Sequence, residues 1–179
     1  MTLSLDINPE DPRWGDLEPL ARPALETALR HLGHDPALFE ISILACDDTR
    51  IQALNAQFRA RNTPTNVLSW PAWDLSPEIP GDSPEPPEPG TPDDPEPLGD
   101  IALSWDTCQR EATEQHKTAP DHVTHLLVHS LLHLLGYDHE TEEDAVLMEK
   151  TEVTVLALLG IADPYEDDTG LPLGVARVD

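Results

Sequence analysis

The stretch of sequence best suited to chemistry is HSLLHLLGYDH, residues 129–139, in which three histidines surround one glycine. The preceding residues predict a helix, on which His129 and His133 lie one turn apart on the same face, with Cβ atoms roughly 5–6 Å apart. Gly136 ends that helix, because glycine readily adopts the left-handed conformation that reverses the chain. His139 can then return toward the same point, so the stretch predicts a three-histidine metal site at the end of a helix.

Three neutral imidazoles that leave a fourth position open are typical of catalytic zinc, which lowers the pKa of bound water toward ~7. We therefore predict one Zn²⁺ per chain on His129, His133 and His139, with nickel or another divalent transition ion as the alternative. His125 continues the row one turn earlier, and we place it behind the ligands or facing the substrate. Asp138 either orients a ligand imidazole through its second nitrogen or is a turn carboxylate.

The spacing HxxxHxxGxxH also occurs in metzincin proteases, where a glutamate after the first histidine acts as the general base. Ser130 occupies that position here, and a serine cannot accept a proton near neutral pH. A metzincin-like zinc metalloprotease is therefore disfavoured and stays open as an alternative.

The elements that must position these residues alternate between helix and strand, which predicts a single α+β domain over residues 1–179, with a small mixed sheet packed against several helices. Helices are predicted over residues 17–32, 48–60, 106–117, 120–135 and 142–159. Strands are predicted in LFEISILAC, TNVLSW and IALSW. In the last helix the apolar row assigned to the core is Val146, Leu147, Val153, Leu156 and Leu159.

Acidic residues dominate the charge, since 35 Asp and Glu against 10 Lys and Arg give a net charge of −25. Such a charge repels nucleic acid and anionic membranes. Residues 74–97 combine nine prolines with eight carboxylates. Because proline disfavours helix and sheet and like charges extend the chain, we predict a disordered surface insertion there. Residues 163–179 are predicted to be a second loose acidic segment.

The remaining composition indicates an intracellular protein. Cys46 and Cys108 lack the spacing of a zinc knuckle or redox motif, so we predict reduced, buried thiols. No run approaches the ~20 apolar residues of a membrane span, and the amino terminus lacks the features of a signal peptide. We expect a cytoplasmic protein that does not contact a membrane.

Four motifs together closely resemble the YbeY family of bacterial metal-dependent endoribonucleases. They are HSLLHLLGYDH, LNAQFRARNTPTNVLSWP, LGDIALSWDTCQREA and MEKTEVTVLALLG, and the likeness covers residues 38–165, interrupted by the proline-rich insertion. The resemblance implies zinc on the three histidines and cleavage of single-stranded RNA in ribosomal RNA maturation, at the small-subunit 3′ end, and in ribosome quality control. The partners it implies are ribosomal RNA and the small ribosomal subunit, and DNA is not expected as a substrate.

The resemblance also points to Arg59, which matches an arginine that the family is thought to need for activity. A guanidinium can bind a phosphate bidentately and stabilise the charge that develops on it, although a helix-end arginine can equally pair with a carboxylate. Arg61, two residues away and therefore expected on another face of the helix, is the competing phosphate ligand. Ser69 is predicted to fix a turn or to support the ligands from behind. Asn66 stands where the family usually has aspartate, and we interpret it as structural.

A second alternative is a non-enzymatic ribosome-associated module whose metal only stabilises the fold. Three protein ligands leave a coordination position open, which disfavours it, whereas a fourth protein ligand would favour it.

Overall fold

A four-stranded mixed sheet lies at the centre of the computed structural model, which describes residues 2–165. The strands are Ser4–Asn8 (β1), Phe39–Cys46 (β2), Val67–Pro71 (β3) and Glu96–Ser104 (β4). Their order is β1-β2-β4-β3, in which β1 and β4 each pair in parallel with β2, and β3 pairs antiparallel with β4. The predicted α+β class, with one domain and a small mixed sheet, is confirmed.

Five α-helices accompany the sheet within residues 2–165. They are Glu18–His31 (α1), Asp48–Arg59 (α2), Trp105–Glu114 (α3), Ala119–Leu134 (α4) and Glu142–Leu158 (α5). Each overlaps a predicted helix, and the largest difference is that α3 ends before residue 117, where His116 adopts a positive φ of 56°. None of these helices is both long and apolar enough to cross a bilayer.

The sequence prediction missed strand β1. Leu3, Leu5 and Ile7 alternate with polar residues, which is the pattern of a half-buried strand. Leu5 lies opposite Ile41 in the parallel pairing of β1 with β2. A parallel pair needs a crossover connection, and α1 provides it.

Helix α4 is the buried centre of the fold. It packs against β3 and β4 on one side and against α1, α3 and α5 on the others. His122, His125 and His129 are therefore all buried, among the leucines and valines of the same helix. Burial lowers the pKa of His125 well below its ordinary value of 6.5, because it penalises the charged imidazole.

The acidic insertion, all of which the structure describes, contains no helix, and before Glu96 its one β feature is an isolated bridge between Thr91 and Asp94. It touches the body of the protein, since the Gly81 amide donates to Asp144 Oδ1 at 2.8 Å. Glu96 pairs with Phe39 as the first residue of β4, so the segment outside the sheet ends two residues earlier than the predicted boundary at 97. The disorder of this segment stays a prediction.

The chain remains packed beyond the end of α5. Tyr165 is 8% exposed, and its amide donates to Asp163 Oδ1 at 2.8 Å. The loose segment predicted over 163–179 thus begins with residues that contact the body. Residues 166–179 lie outside the described part of the chain, and the prediction for them stays a prediction.

Candidate metal centre

Helix α4 brings His129 and His133 together at its carboxyl end. The helix begins at a capping threonine, since Thr118 Oγ1 accepts from the Asp121 amide at 3.2 Å. The Nε2 atoms of His129 and His133 lie 3.0 Å apart. Because these residues are one turn apart, the helical geometry alone places both nitrogens at one point.

The chain reverses after α4 and returns His139 to the same point. Gly136 has a φ of +100°, a conformation that glycine adopts without strain. The His139 ring lies 5.7 Å from the His129 ring and 5.2 Å from the His133 ring, centroid to centroid. One nitrogen from each of the three rings lies within 4.8 Å of the other two. The predicted three-histidine site is therefore present.

In two of the three histidines, the nitrogen that faces away from the shared point also forms a hydrogen bond. His133 Nδ1 lies 3.0 Å from the Tyr137 carbonyl oxygen, and His129 Nδ1 forms a hydrogen bond with Glu152 Oε1. Burial, reinforced by His129 and His139 close by, lowers the pKa of His133 to about 3. His133 is thus neutral at physiological pH, the form in which an imidazole binds a metal.

The set of donor atoms fits a divalent transition ion. Three imidazoles suit zinc, nickel, copper or iron, whereas magnesium and calcium prefer oxygen. Within residues 2–165 the group formed by the three histidines has no fourth member. A site with three protein ligands keeps a position for water or substrate.

The open side of the three-histidine site faces a cleft of about 400 Å³. Both predicted phosphate ligands line it: Arg59 ends α2, and Arg61 follows after Ala60, whose left-handed φ of 56° turns the chain. Arg61 was expected on another face of the helix. It lies beyond the end of α2 instead and lines the same cleft as Arg59. The full lining consists of Arg59, Arg61, Ser69, Pro71, Ser76, His133, Gly136, Tyr137, Asp138, His139 and Glu140.

Ser69 contacts Arg59 through its backbone, since Arg59 Nη2 donates to the Ser69 carbonyl oxygen at 2.9 Å. Its hydroxyl is buried and has no hydrogen-bond partner among the described residues. Ser69 thus supports the arginine from strand β3. The predicted support of the histidine ligands by Ser69 stays a prediction.

His125 is 2% exposed and lies behind His129, not in the cleft. It belongs to a second group of neighbouring donors, in which ligand atoms of His125, His129 and Glu152 lie within 4.8 Å of one another. His125 lies behind His129, and its predicted role in substrate binding stays a prediction.

Asp138 forms a local contact in the turn, where its Oδ1 accepts from the His139 amide at 2.7 Å. Its predicted role in orienting an imidazole stays a prediction. The carboxylate that does meet a ligand ring is Glu152, which the sequence reasoning missed. A signal was present, because Glu152 interrupts the buried face of α5 between Met148 and Val155, where a charged residue needs a partner.

Comparisons with known proteins identify the family of the chain. A profile of the endoribonuclease YbeY family matches residues 8–160. Proteins named endoribonuclease YbeY from Ruegeria pomeroyi and Cereibacter sphaeroides are 58% and 56% identical to the chain, covering 91% and 87% of it and 98% and 95% of their own lengths. A Thermotoga maritima protein of known solution structure shares the fold at 22% identity, with a TM-score of 0.53 over 93% of this chain and 98% of that one. The chain belongs to the endoribonuclease YbeY family.

Proposed function

We propose that the protein is a metal-dependent endoribonuclease that cuts single-stranded RNA in the cytoplasm, in maturation of the small-subunit ribosomal RNA 3′ end and in ribosome quality control. The observation that carries the proposal is the cleft itself, in which His133 and His139 face Arg59 and Arg61. A metal site beside two guanidinium groups is suited to a phosphodiester. The names of the family's curated members support RNA as the substrate.

Zn²⁺, one per chain, is the proposed ion, because three neutral imidazoles are a common zinc ligand set. When bound, such an ion supplies Lewis acidity to the phosphate and lowers the pKa of water. The chain's contribution is to hold the three nitrogens at one point on a rigid helix and its turn. Nickel or another divalent ion would be held by the same atoms.

Arg59 is the proposed phosphate ligand. Its contact with Ser69 uses one N–H at 2.9 Å, and a guanidinium has five such donors. The remaining donors can bind two phosphate oxygens and stabilise the negative charge that grows on them during cleavage. The bond to Ser69 anchors the side chain to the sheet, so little freedom is lost when phosphate binds.

Single-stranded RNA is the proposed substrate because its phosphates and bases are accessible from several directions, whereas a duplex offers a stiff surface. The net charge of −25 opposes RNA binding, so attraction must come locally from the ion and the two cleft arginines. Binding of this kind is weak and falls with salt. Ribosomal RNA and the small subunit are the proposed partners.

The test compares purified protein with variants of the site. Zinc-loaded protein should cut single-stranded RNA and leave double-stranded RNA and casein intact, and chelation should abolish cutting until zinc is restored. His133→Ala should lose zinc and cutting together. Ser130→Ala should keep most of both, because the Ser130 hydroxyl is fully buried in α4 and has no role in proton transfer.

Each failure of this test points to a different alternative. Intact RNA in the presence of one zinc per chain would favour a structural metal and refute the nuclease proposal. Cleavage of casein would favour the protease. Cutting that survives His133→Ala would reveal a contaminating ribonuclease.

A further inference from the structure

A buried carboxylate lies directly behind the metal site. Glu152, on α5, has 0% relative exposure. Its Oε1 forms a hydrogen bond with His129 Nδ1, and its Oε2 accepts from the Tyr165 hydroxyl. Among residues 2–165, no lysine or arginine forms an ion pair with it. Burying a carboxylate in such a place costs free energy, and the burial persists only where hydrogen bonds offset that cost or the group has a function.

The contact determines which nitrogen of His129 carries the proton. A carboxylate oxygen only accepts, so the ring bonded to it must be protonated at Nδ1. Nε2 then keeps its lone pair, and Nε2 is the atom that lies 3.0 Å from His133 Nε2. The hydrogen bond thus presents the metal-binding nitrogen of His129 to the shared point.

His133 shows the same arrangement with a different acceptor. Its Nδ1 lies 3.0 Å from the Tyr137 carbonyl oxygen, a backbone atom. Both neighbouring ligands therefore have a fixed partner behind Nδ1, and their Nε2 atoms meet in front. For His133 the acceptor is built into the turn, whereas for His129 it is a side chain that must itself be held.

Tyr165 provides that hold. Its hydroxyl bonds to Glu152 Oε2, and its ring packs edge-on against His125 at 5.6 Å between centroids. Tyr165 lies beyond the end of α5, so its docking joins the segment after the last helix to the metal site. Two successive hydrogen bonds therefore connect Tyr165 to Glu152 and Glu152 to His129.

We infer that Glu152, held by Tyr165, is the positioning residue that orients His129 and selects its metal-binding tautomer. The inference rests on the proposed metal site and needs no statement about RNA. Carboxylates that accept from a ligand histidine orient the ring and raise its basicity, and loss of such a partner weakens metal binding. The alternative is a buried acid that contributes only to the stability of the fold.

The experiment measures three quantities for each variant: the tautomer of His129 by ¹⁵N NMR of the metal-free protein, the Zn²⁺ dissociation constant by competition with a chelating dye, and the melting temperature. Glu152→Leu should lose the Nδ1–H tautomer and raise the dissociation constant by roughly 10- to 100-fold. Tyr165→Phe removes only the hydroxyl and should change both quantities in the same direction by less. If Glu152→Leu fails to fold, Tyr165→Phe tests the positioning role of Glu152.

Glu26→Leu is the matched control. Glu26, on α1, is a second buried carboxylate and is 7% exposed. It accepts hydrogen bonds from the Arg22 side chain and from the Leu3 amide. This variant should lower the melting temperature and leave the tautomer and zinc affinity unchanged. If Glu152→Leu or Tyr165→Phe behaves like Glu26→Leu, the positioning role is refuted while the metal site stands. A wild-type protein that binds no zinc would overturn both.

Discussion

Asn66 illustrates how a single residue is matched to its neighbours. Its Oδ1 accepts from the Val67 amide at 2.7 Å, and its Nδ2 donates to Glu111 Oε1 at 2.9 Å. The same Glu111 oxygen lies 2.9 Å from His122 Nε2. An aspartate at position 66 would face Glu111 with a like charge and no donor, which is unfavourable in a buried place. The structural interpretation of Asn66 thus has a physical basis in this chain.

At the same scale, Arg59→Ala should separate catalysis from metal binding. The side chain faces the cleft and bonds to Ser69, not to a histidine ligand. Zinc should remain at one per chain, while cleavage of single-stranded RNA falls by on the order of 10²-fold or more, the scale of losing one transition-state donor. Zinc content and cleavage rate are measured on the same preparation.

Arg50→Ala is the control for Arg59→Ala, because Arg50 lies near the start of α2 and pairs with Glu10 at 3.5 Å, away from the cleft. It removes the same charge from the same helix and should leave cleavage nearly unchanged. An equal loss of activity in both variants would mean that net charge, and not phosphate contact, explains the effect.

Among the elements, the acidic insertion proves to be part of the cleft. A Cβ built on Gly136 would lie 2.7 Å from the Leu75 backbone, so Gly136 is needed for close packing as well as for the turn. Ser76 lines the cleft beside the two arginines. The segment therefore has a region that supports the site, near residue 75, and a second region, around Gly81, whose contact with the body is an exposed hydrogen bond to Asp144.

These two regions can be separated by deletion. The Glu85 amide donates to the Leu75 carbonyl oxygen at 3.0 Å, so the ends of segment 77–83 lie close together. Replacing 77–83 with two glycines removes the exposed hydrogen bond from Gly81 to Asp144. It should lower the melting temperature only slightly and leave the zinc content unchanged, because the cost of loop closure changes by only about 0.6 kcal/mol per doubling of length. Thermal denaturation and metal analysis measure the outcome.

Deletion of all of 74–97 is the contrasting variant. It removes the packing of Leu75 on Gly136 and the pairing of Glu96 with Phe39 in β4. The melting temperature should fall clearly. A large fall after the short deletion as well would show that residues 77–83 contribute to the packed core of the insertion.

For the whole molecule, the buried neutral histidines connect the metal site to global stability. Burial and neighbouring groups lower the pKa of His133 to about 3 and hold the pKa of His125 well below its ordinary value of 6.5. In the unfolded chain both rings regain ordinary pKa values. The unfolded state therefore binds more protons than the folded state as pH falls below about 6.5.

The metal-free protein should accordingly lose stability on mild acidification. The loss begins near the unfolded pKa and amounts to at most about 1.4 kcal/mol per pH unit for each such histidine. Urea denaturation between pH 7 and pH 5.5 measures it, in a range where most carboxylates remain charged. His125→Leu should reduce the slope, and a slope unchanged by this variant would refute the contribution of His125.

The parts of this protein that depend on local geometry can be predicted from its amino-acid sequence. His129 and His133 share a helix face, and Gly136 reverses the chain within three residues of His139, so the metal site follows from spacing alone. The strands β2, β3 and β4 and the five helices were likewise predicted from periodicity, capping and glycine stops.

Features that depend on contacts between distant segments are visible only in the folded protein. Val146 was assigned to the core and is 60% exposed, whereas Glu152 on the same helix is completely buried. The apolar face of α5 includes position 152, but periodicity does not identify the partner of the carboxylate, because only the meeting of α5 with α4 brings the His129 imidazole to it. For the same reason, the sequence does not predict the contact of Leu75 with Gly136. These residues are 61 positions apart, and no local pattern relates them.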